Sequence, residues 1–467
     1  MGPILIARGS DNRACRLAAL LVVSEGEEPP PLVAEGAGTA TPRPMLRRFG
    51  RIVWRYDFSL PVQADAAYRL GAREFRVATD LTGDLRIAFV SCNGQESGDL
   101  RRPVAKRNAM WTRLADEHAA QPFGLLLQGG DQIYADEVLD AHPALRRWWN
   151  APVRRKGRHP FTAEMREAVE RFYFERYLAL YAQSGLAALC ARVPSLMIWD
   201  DHDIIDGWGS HPAATLDSAV GRGLFAAARE TFALFQLARS PAETDAMGGT
   251  LGHHTDFPGF AVVAPDLRSE RRPERVMGPA GWSALERWLA AADAGGRLLV
   301  MSSVPALGPR LSWVERVIGI LPKVDKYKDD LRDQWQSRSH REEWRRFLRT
   351  LEREAVGRRR PVTVLSGEIH LATRGEMTLG DGSVLHQLVA SGIAHPAPPA
   401  GYSAGLGLLA TLGEDPLENR PIRLRPLPGR RWIYTGQRNY LVLERAGTDW
   451  TASWELEHDG RTPILNL

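Results

Sequence analysis

The rhythm of apolar and polar positions changes near residue 84. Before it, short runs alternate the two kinds of residue, at Leu17–Val23, Ile52–Leu60 and Glu74–Ala78. Pro/Gly-rich turns such as Glu28-Pro29-Pro30-Pro31 separate them. Period-two alternation broken by turns predicts antiparallel strands. We therefore expect residues 1–83 to form a small antiparallel β-domain of immunoglobulin or fibronectin type, closed by the turn Thr82-Gly83-Asp84. Residues 84–467 are expected to form a second, larger domain.

From Leu85 onward, short and wholly apolar runs take turns with amphipathic ones. Strands are predicted at Leu85–Val90, Phe123–Leu127, Val193–Trp199, Phe260–Ala264, Arg297–Ser302 and Pro361–Leu365. Helices are predicted at Arg107–His118, Thr162–Ser184, Gly281–Ala292 and Trp335–Val356. Strands with no polar face that alternate with helices belong in the layers of an α/β fold. The polar stretch 309–334 and the segment Arg154–His159 read as an exposed insertion or a mobile lid. Insertions at 135–160 and 303–340 would then shape any pocket.

Composition narrows the class. A chain of 467 residues exceeds one ordinary core, which again predicts two domains. An apolar share of 44% and a charged share of 25% fit a folded globular protein and exclude extensive disorder. The net charge of +4 is small, and the run of arginines at Arg345, Arg346, Arg349, Arg353 and Arg358 to Arg360 reads as a solvated face. No basic stripe interleaved with aromatics is visible, so nucleic acid is not indicated. Three cysteines, Cys15, Cys92 and Cys190, argue against a disulfide framework and for a reducing compartment. The apolar stretch Leu17–Val23 has no small-residue cleavage site after it and reads as a strand. No run approaches the ~20 apolar residues that a bilayer span needs. The expectation is a cytoplasmic protein with no membrane partner.

The chemistry sits where the strands stop. Four strand candidates end in polar clusters: Ser91-Cys92-Asn93, Gly130-Asp131-Gln132-Ile133-Tyr134, Asp200-Asp201-His202-Asp203 and Ser366-Gly367-Glu368-Ile369-His370. Open α/β sheets bind ligands just beyond the carboxyl ends of their strands. Carboxylates can bridge two cations, imidazole suits iron and zinc, and a thiolate with a phenolate favours a more charged ion such as ferric iron. Two ions held together supply a hydroxide and clamp both oxygens of an in-line phosphoryl displacement. Singly, each cluster reads more often as a loop network, a turn or a buried side chain than as a ligand set. Joint placement after successive strands is what points to a centre.

The order of these clusters, from about Ile87 to His370, resembles the alkaline phosphatase D-like metallophosphatases, relatives of the purple acid phosphatases. The resemblance implies a four-layer α/β/β/α sandwich preceded by a small β-domain. It implies two metal ions, Fe3+ plus a divalent ion (Ca2+, Zn2+, Mn2+ or Mg2+), and a small phosphoester substrate. By the same resemblance Cys92, Tyr134 and His370 would hold the ferric ion, Asp131 would bridge, and Asp201 and Glu368 would serve the second ion. His202 would contact the phosphate or protonate the leaving group, and Arg268 of the segment Val263–Arg268 would clamp phosphate. Asp200, Asp203 and Asp266 are candidates for ligands or for groups that orient ligands, and Asn93 and Gln95 for phosphate donors. Glu368 stands where the family usually has aspartate, and Asp203 where it has glutamate. The implied activity is a metal-dependent phosphomonoesterase or phosphodiesterase using a metal-bound hydroxide. The alternatives are another metallohydrolase acting on esters or amides, and a metal-binding scaffold without turnover.

Overall fold

The computed structural model describes residues 1–94, 101–292, 295–308, 334–367, 369–398 and 414–467. The apolar runs after Leu85 become parallel strands at the centre of two sheets. In the first sheet Leu85–Val90, Leu125–Gly129 and Ser195–Ile198 lie side by side and parallel. In the second, Phe260–Ala264, Arg297–Ser302, Val362–Ser366 and Val384–Val389 do the same. Nearly every residue of these strands is buried, as expected when both faces of a sheet are covered.

Ile87, Phe89, Leu125, Leu127, Leu196 and Ile198 of the first sheet meet Val262, Leu299, Met301, Leu365 and Leu388 of the second in one apolar layer. The opposite face of the first sheet is covered by the helices Ala109–Ala120, Ala163–Tyr181, Ser184–Cys190 and Ala219–Phe235. The opposite face of the second packs on Pro279–Ala291 and Arg341–Glu352. The layers therefore run α/β/β/α. The Ala163–Tyr181 helix begins where the Thr162 hydroxyl accepts the Met165 N–H. It then buries Met165, Val169, Tyr173, Tyr177 and Leu180 along one stripe.

The N-terminal residues are antiparallel, but their sheet is continuous with the larger one. Ile4–Ser10 pairs in parallel with Ser195–Ile198, and Ala14–Ser24, Arg51–Pro61 and Pro42–Arg48 follow in order. Only Leu32–Ala34, Gly38–Ala40, Ala66–Leu70 and Arg73–Val77 form a sheet of their own, which packs on those strands through Tyr56, Phe58, Tyr68 and Phe75. The sheet thus crosses the expected boundary at 83. The reason is visible in Ile4, Ile6, Ala18, Leu20 and Val22, which share the apolar core of the helical layer. At the other edge the hairpin Asn439–Ala446/Asp449–Leu456 adds antiparallel to Leu85–Val90.

Two further expectations change. Trp335 does not open a helix: it precedes a 3-10 turn at Arg338–His340, and the helix starts at Arg341. Trp335 is instead core, stacked on Phe347 at 4.8 Å. The segment Arg154–His159 is largely exposed, as one of its two readings had it, but it is anchored at one residue. Its Lys156 is buried, with Nζ 4.9 Å and 4.4 Å from the ring centres of Trp148 and Trp149. Most of the insertion around 309–334 lies outside the described residues.

Candidate metal centre

Three candidate ligands sit just past strand ends in the left-handed backbone region: Cys92 (φ 53), Asp131 (φ 55) and His370 (φ 52). Side chains other than glycine enter that region at a cost, and such outliers gather at functional sites. The corners are stitched together by backbone hydrogen bonds. Cys92 N donates to Gly130 O at 3.1 Å, and Asn93 N to Asp131 O at 2.8 Å. Gly130, at φ 106, lets the chain turn there, and a Cβ on it would stand 2.9 Å from Asp200 Cβ.

At this junction Cys92, Asp131 and His370 offer ligand atoms within 4.8 Å of one another, and so do Asp131, Asp200 and Asp201. Asp131 belongs to both groups, as a bridging carboxylate must. Its Oδ2 lies 3.5 Å from Cys92 Sγ and 3.5 Å from the Tyr134 hydroxyl, which is 2.9 Å from His370 Nε2. Its Oδ1 is buried with no hydrogen-bond partner. Burial, followed by the charge of Asp200, holds the Asp131 carboxyl well above the ordinary carboxylate range. Burial, followed by Asp131, does the same to the Cys92 thiol. A buried thiol, phenol, imidazole and carboxylates that repel one another when charged are suited to cations, which reverse that penalty. The donor set therefore fits the two metal ions that the resemblance implies.

The neighbouring acids divide by what already occupies them. Asp201 accepts from Gly207 N at 2.7 Å and lies 3.4 Å from Arg268. Asp203 accepts from the backbone N–H groups of Asp131, Asp200 and Ile133, at 2.9, 2.9 and 3.2 Å, and from the Gln236 amide at 3.2 Å. Burial raises its carboxyl to about 7. Asp266 is likewise full: it accepts from Trp199 Nε1, from the N–H groups of Arg268 and Ser269, and from Leu251 N. Both residues fix the loops that carry the candidate ligands, and neither turns an unoccupied oxygen to the cluster.

His202 stacks on Tyr134 at 4.3 Å, and its Nδ1 is 2.8 Å from Asp136 Oδ2. Burial opposes its protonation, but Asp136 and Asp201 prevail and keep its pKa well above that of an ordinary histidine. Arg268 is fully buried, bonded through Nε to Asp200 and through Nη1 to Trp208 O at 3.2 Å. In this arrangement its guanidinium is shared between the two carboxylates and the Trp208 carbonyl. Asn93, expected to donate to phosphate, is also committed: its oxygen accepts from Trp111 Nε1 at 2.6 Å and its amide donates to Gln132 O at 3.2 Å. Glu368 and Gln95 lie outside the described residues. Trp199, Trp208 and Trp335 are all core.

Three residues escaped the reading of the sequence. Asp136 orients His202 and carries the weak signal of lying two positions after Tyr134. Ser391 donates to Cys92 Sγ at 3.1 Å and accepts from His370 N at 2.8 Å, tying two ligand corners together. His395 stacks on His370 at 3.6 Å and on Tyr134 at 5.3 Å. The last two follow the Val384–Val389 strand, which the apolar pattern did not single out.

Two packed sheets whose strand ends gather these donors define an α/β metallophosphatase-like fold. The chain belongs to the family of PhoD related phosphatases, whose model matches residues 69–327, more than half of its length. That family is one of phosphatase-type hydrolases. The solved structure of PhoD superposes with a TM-score of 0.60 at 12% identity, over 99% of this chain and 88% of that one, and shows the same fold. GAP50, the anchor in the inner membrane complex of Plasmodium, gives a TM-score of 0.42 at 9% identity over 82% of this chain and 89% of that one, too distant to argue from. The uncharacterized protein YGR266W of Saccharomyces cerevisiae is 26% identical over 401 residues. The match spans 69% of this chain but only 56% of that relative's length. Among the described residues no helix is long and apolar enough to cross a membrane.

Proposed function

We propose that the chain is a phosphoester hydrolase, acting on monoesters or diesters, that works with two metal ions, one ferric and one divalent. The observation that carries this reading is the double membership of Asp131 in the two ligand groups. Cys92, Tyr134 and His370 would hold the ferric ion. Asp201, with Asp200 beside it, would hold the second, with Glu368 as its further candidate ligand. When bound, such a pair neutralises phosphoryl oxygens and activates water. The chain's own groups do the rest. Asp136 fixes the ring of His202 through Nδ1. That leaves Nε2 to carry the proton for the departing alkoxide, and the acids keep the ring charged until it is needed. Arg268 holds Asp200 and Asp201 in place and offsets part of their charge.

The three cysteines are all buried and free, which supports a reducing, cytoplasmic setting. Metal analysis of the purified protein with a visible spectrum tests the centre. A tyrosinate-to-iron band lost in Tyr134→Phe supports it. Turnover of p-nitrophenyl phosphate and of its bis-ester tests the reaction, and a metal-loaded protein inert to both would refute it.

A further inference from the structure

One short turn from Asp136, residues between Leu139 and His159 line an open cavity of about 770 Å³, ample for a small-molecule ligand. Its lining includes His142, Arg147, Arg155 and His159, and a single acid, Asp140. Arg146 neutralises that acid through Nε at 2.7 Å and a second bond from Nη2. Neither Arg147 nor Arg155 makes a side-chain hydrogen bond or an ion pair among the described residues. Two cations without counter-charges thus face one cavity. The His142 Nδ1 accepts the Ala144 N–H at 3.2 Å, so its proton resides on Nε2, a further donor. Next to Arg155, Lys156 is buried with its Nζ against the rings of Trp148 and Trp149.

Two chains of contact join this wall to His202. The turn Asp136–Asp140 ends in the cavity and begins at the residue that holds His202. Trp149 packs edge-on against His211 at 5.3 Å, and His211 Nε2 is 2.8 Å from the carbonyl of Asp206. The amide of Asp206 in turn bonds to Asp136 at 2.6 Å. Guanidinium forks on a wall poor in acid select phosphate or an equally charged oxyanion.

We propose that this cavity is an anion subsite for a second phosphoryl group on the substrate, so that the preferred substrates carry two phosphates rather than one. This rests on the hydrolase reading above. The test compares a nucleoside bisphosphate with the corresponding monophosphate, in the metal-loaded wild type and in Arg147→Gln/Arg155→Gln. Expected is a loss of about tenfold or more in kcat/KM for the bisphosphate, mostly in KM, with less than about a twofold change for the monophosphate. Equal losses on both substrates, or none on either, overturn the proposal. Activation of wild-type monophosphate turnover by free phosphate, absent in the variant, would also overturn it, because the cavity would then take a separate anion. If neither ester is turned over, the hydrolase reading fails by itself. Calorimetric titration with tripolyphosphate then judges the subsite: weaker binding to the double variant supports it, and equal binding sinks it.

Discussion

Single atoms separate the working acids from the fixing ones. Asp131 presents a buried oxygen with no hydrogen-bond partner, whereas Asp203 has both oxygens filled by N–H groups. Asp131→Asn is isosteric and keeps a residue that tolerates left-handed backbone. It should cut kcat on the order of a thousandfold or more while the circular-dichroism melt stays at or above that of the wild type. Asp203→Ala strands three buried N–H groups and should lower unfolding stability by about 3 kcal/mol or more, read in denaturant melts, with loss of both ions. His202→Ala should lower kcat roughly a hundredfold with metal content unchanged, and loss of an ion would recast it as a ligand. The candidate-ligand cluster was legible because Cys92, Asp131, Tyr134 and Asp201 stand within a few residues of an apolar strand, a local signal. What was not legible is what each atom bonds. Asp203, Asp266, Arg268 and Asn93 are the right residue types in the right place, yet each also bonds to a remote segment that only the fold brings near.

Individual strands and helices show the same division between local and remote causes. The six apolar runs after Leu85 were readable because a strand covered on both faces has no polar period to confuse. The Ala219–Phe235 helix was not, because Gly221 and Gly223 near its start mimic a loop. Gly223 is there to let Phe161 approach, its missing Cβ lying 2.2 Å from that ring. The edge strand His253–Phe257 carries a pH response of its own. His253 is buried, with Nε2 3.0 Å from the Met197 carbonyl. Burial, aided by Arg239, lowers its pKa from 6.5 to about 3. The folded state thus keeps it neutral while the unfolded chain takes up a proton below 6.5. Its contribution to stability is complete above 6.5 and lost as the pH falls towards 3. Melting curves of His253→Gln should be flatter than wild type over that interval; parallel curves would remove His253 as the cause.

On the scale of the whole molecule, the sheet that carries Cys92, Asp131 and Asp201 is assembled from widely separated stretches of sequence. Ile4–Ser10 flanks Ser195–Ile198, and Asn439–Ala446 flanks Leu85–Val90. The rhythm change at residue 84 was real, but periodicity reports the local element and not its partner strand, so it could not show the sheet running on. Deleting residues 1–83 should therefore give an insoluble or molten product, judged by lost near-ultraviolet dichroism, and a cooperative melt from that fragment would show the two parts to be separable. The same layout governs the order of events at the ribosome. Cys92 and Asp131 emerge long before His370, and the strand beneath Cys92 waits for residues near the far end before its open edge is covered. Under the metal reading proposed above, a half-made chain lacks His370 and leaves the edge of the Leu85–Val90 strand uncovered. Stalled nascent chains should therefore take up no metal until the hairpin Asn439–Ala446/Asp449–Leu456 has left the exit tunnel.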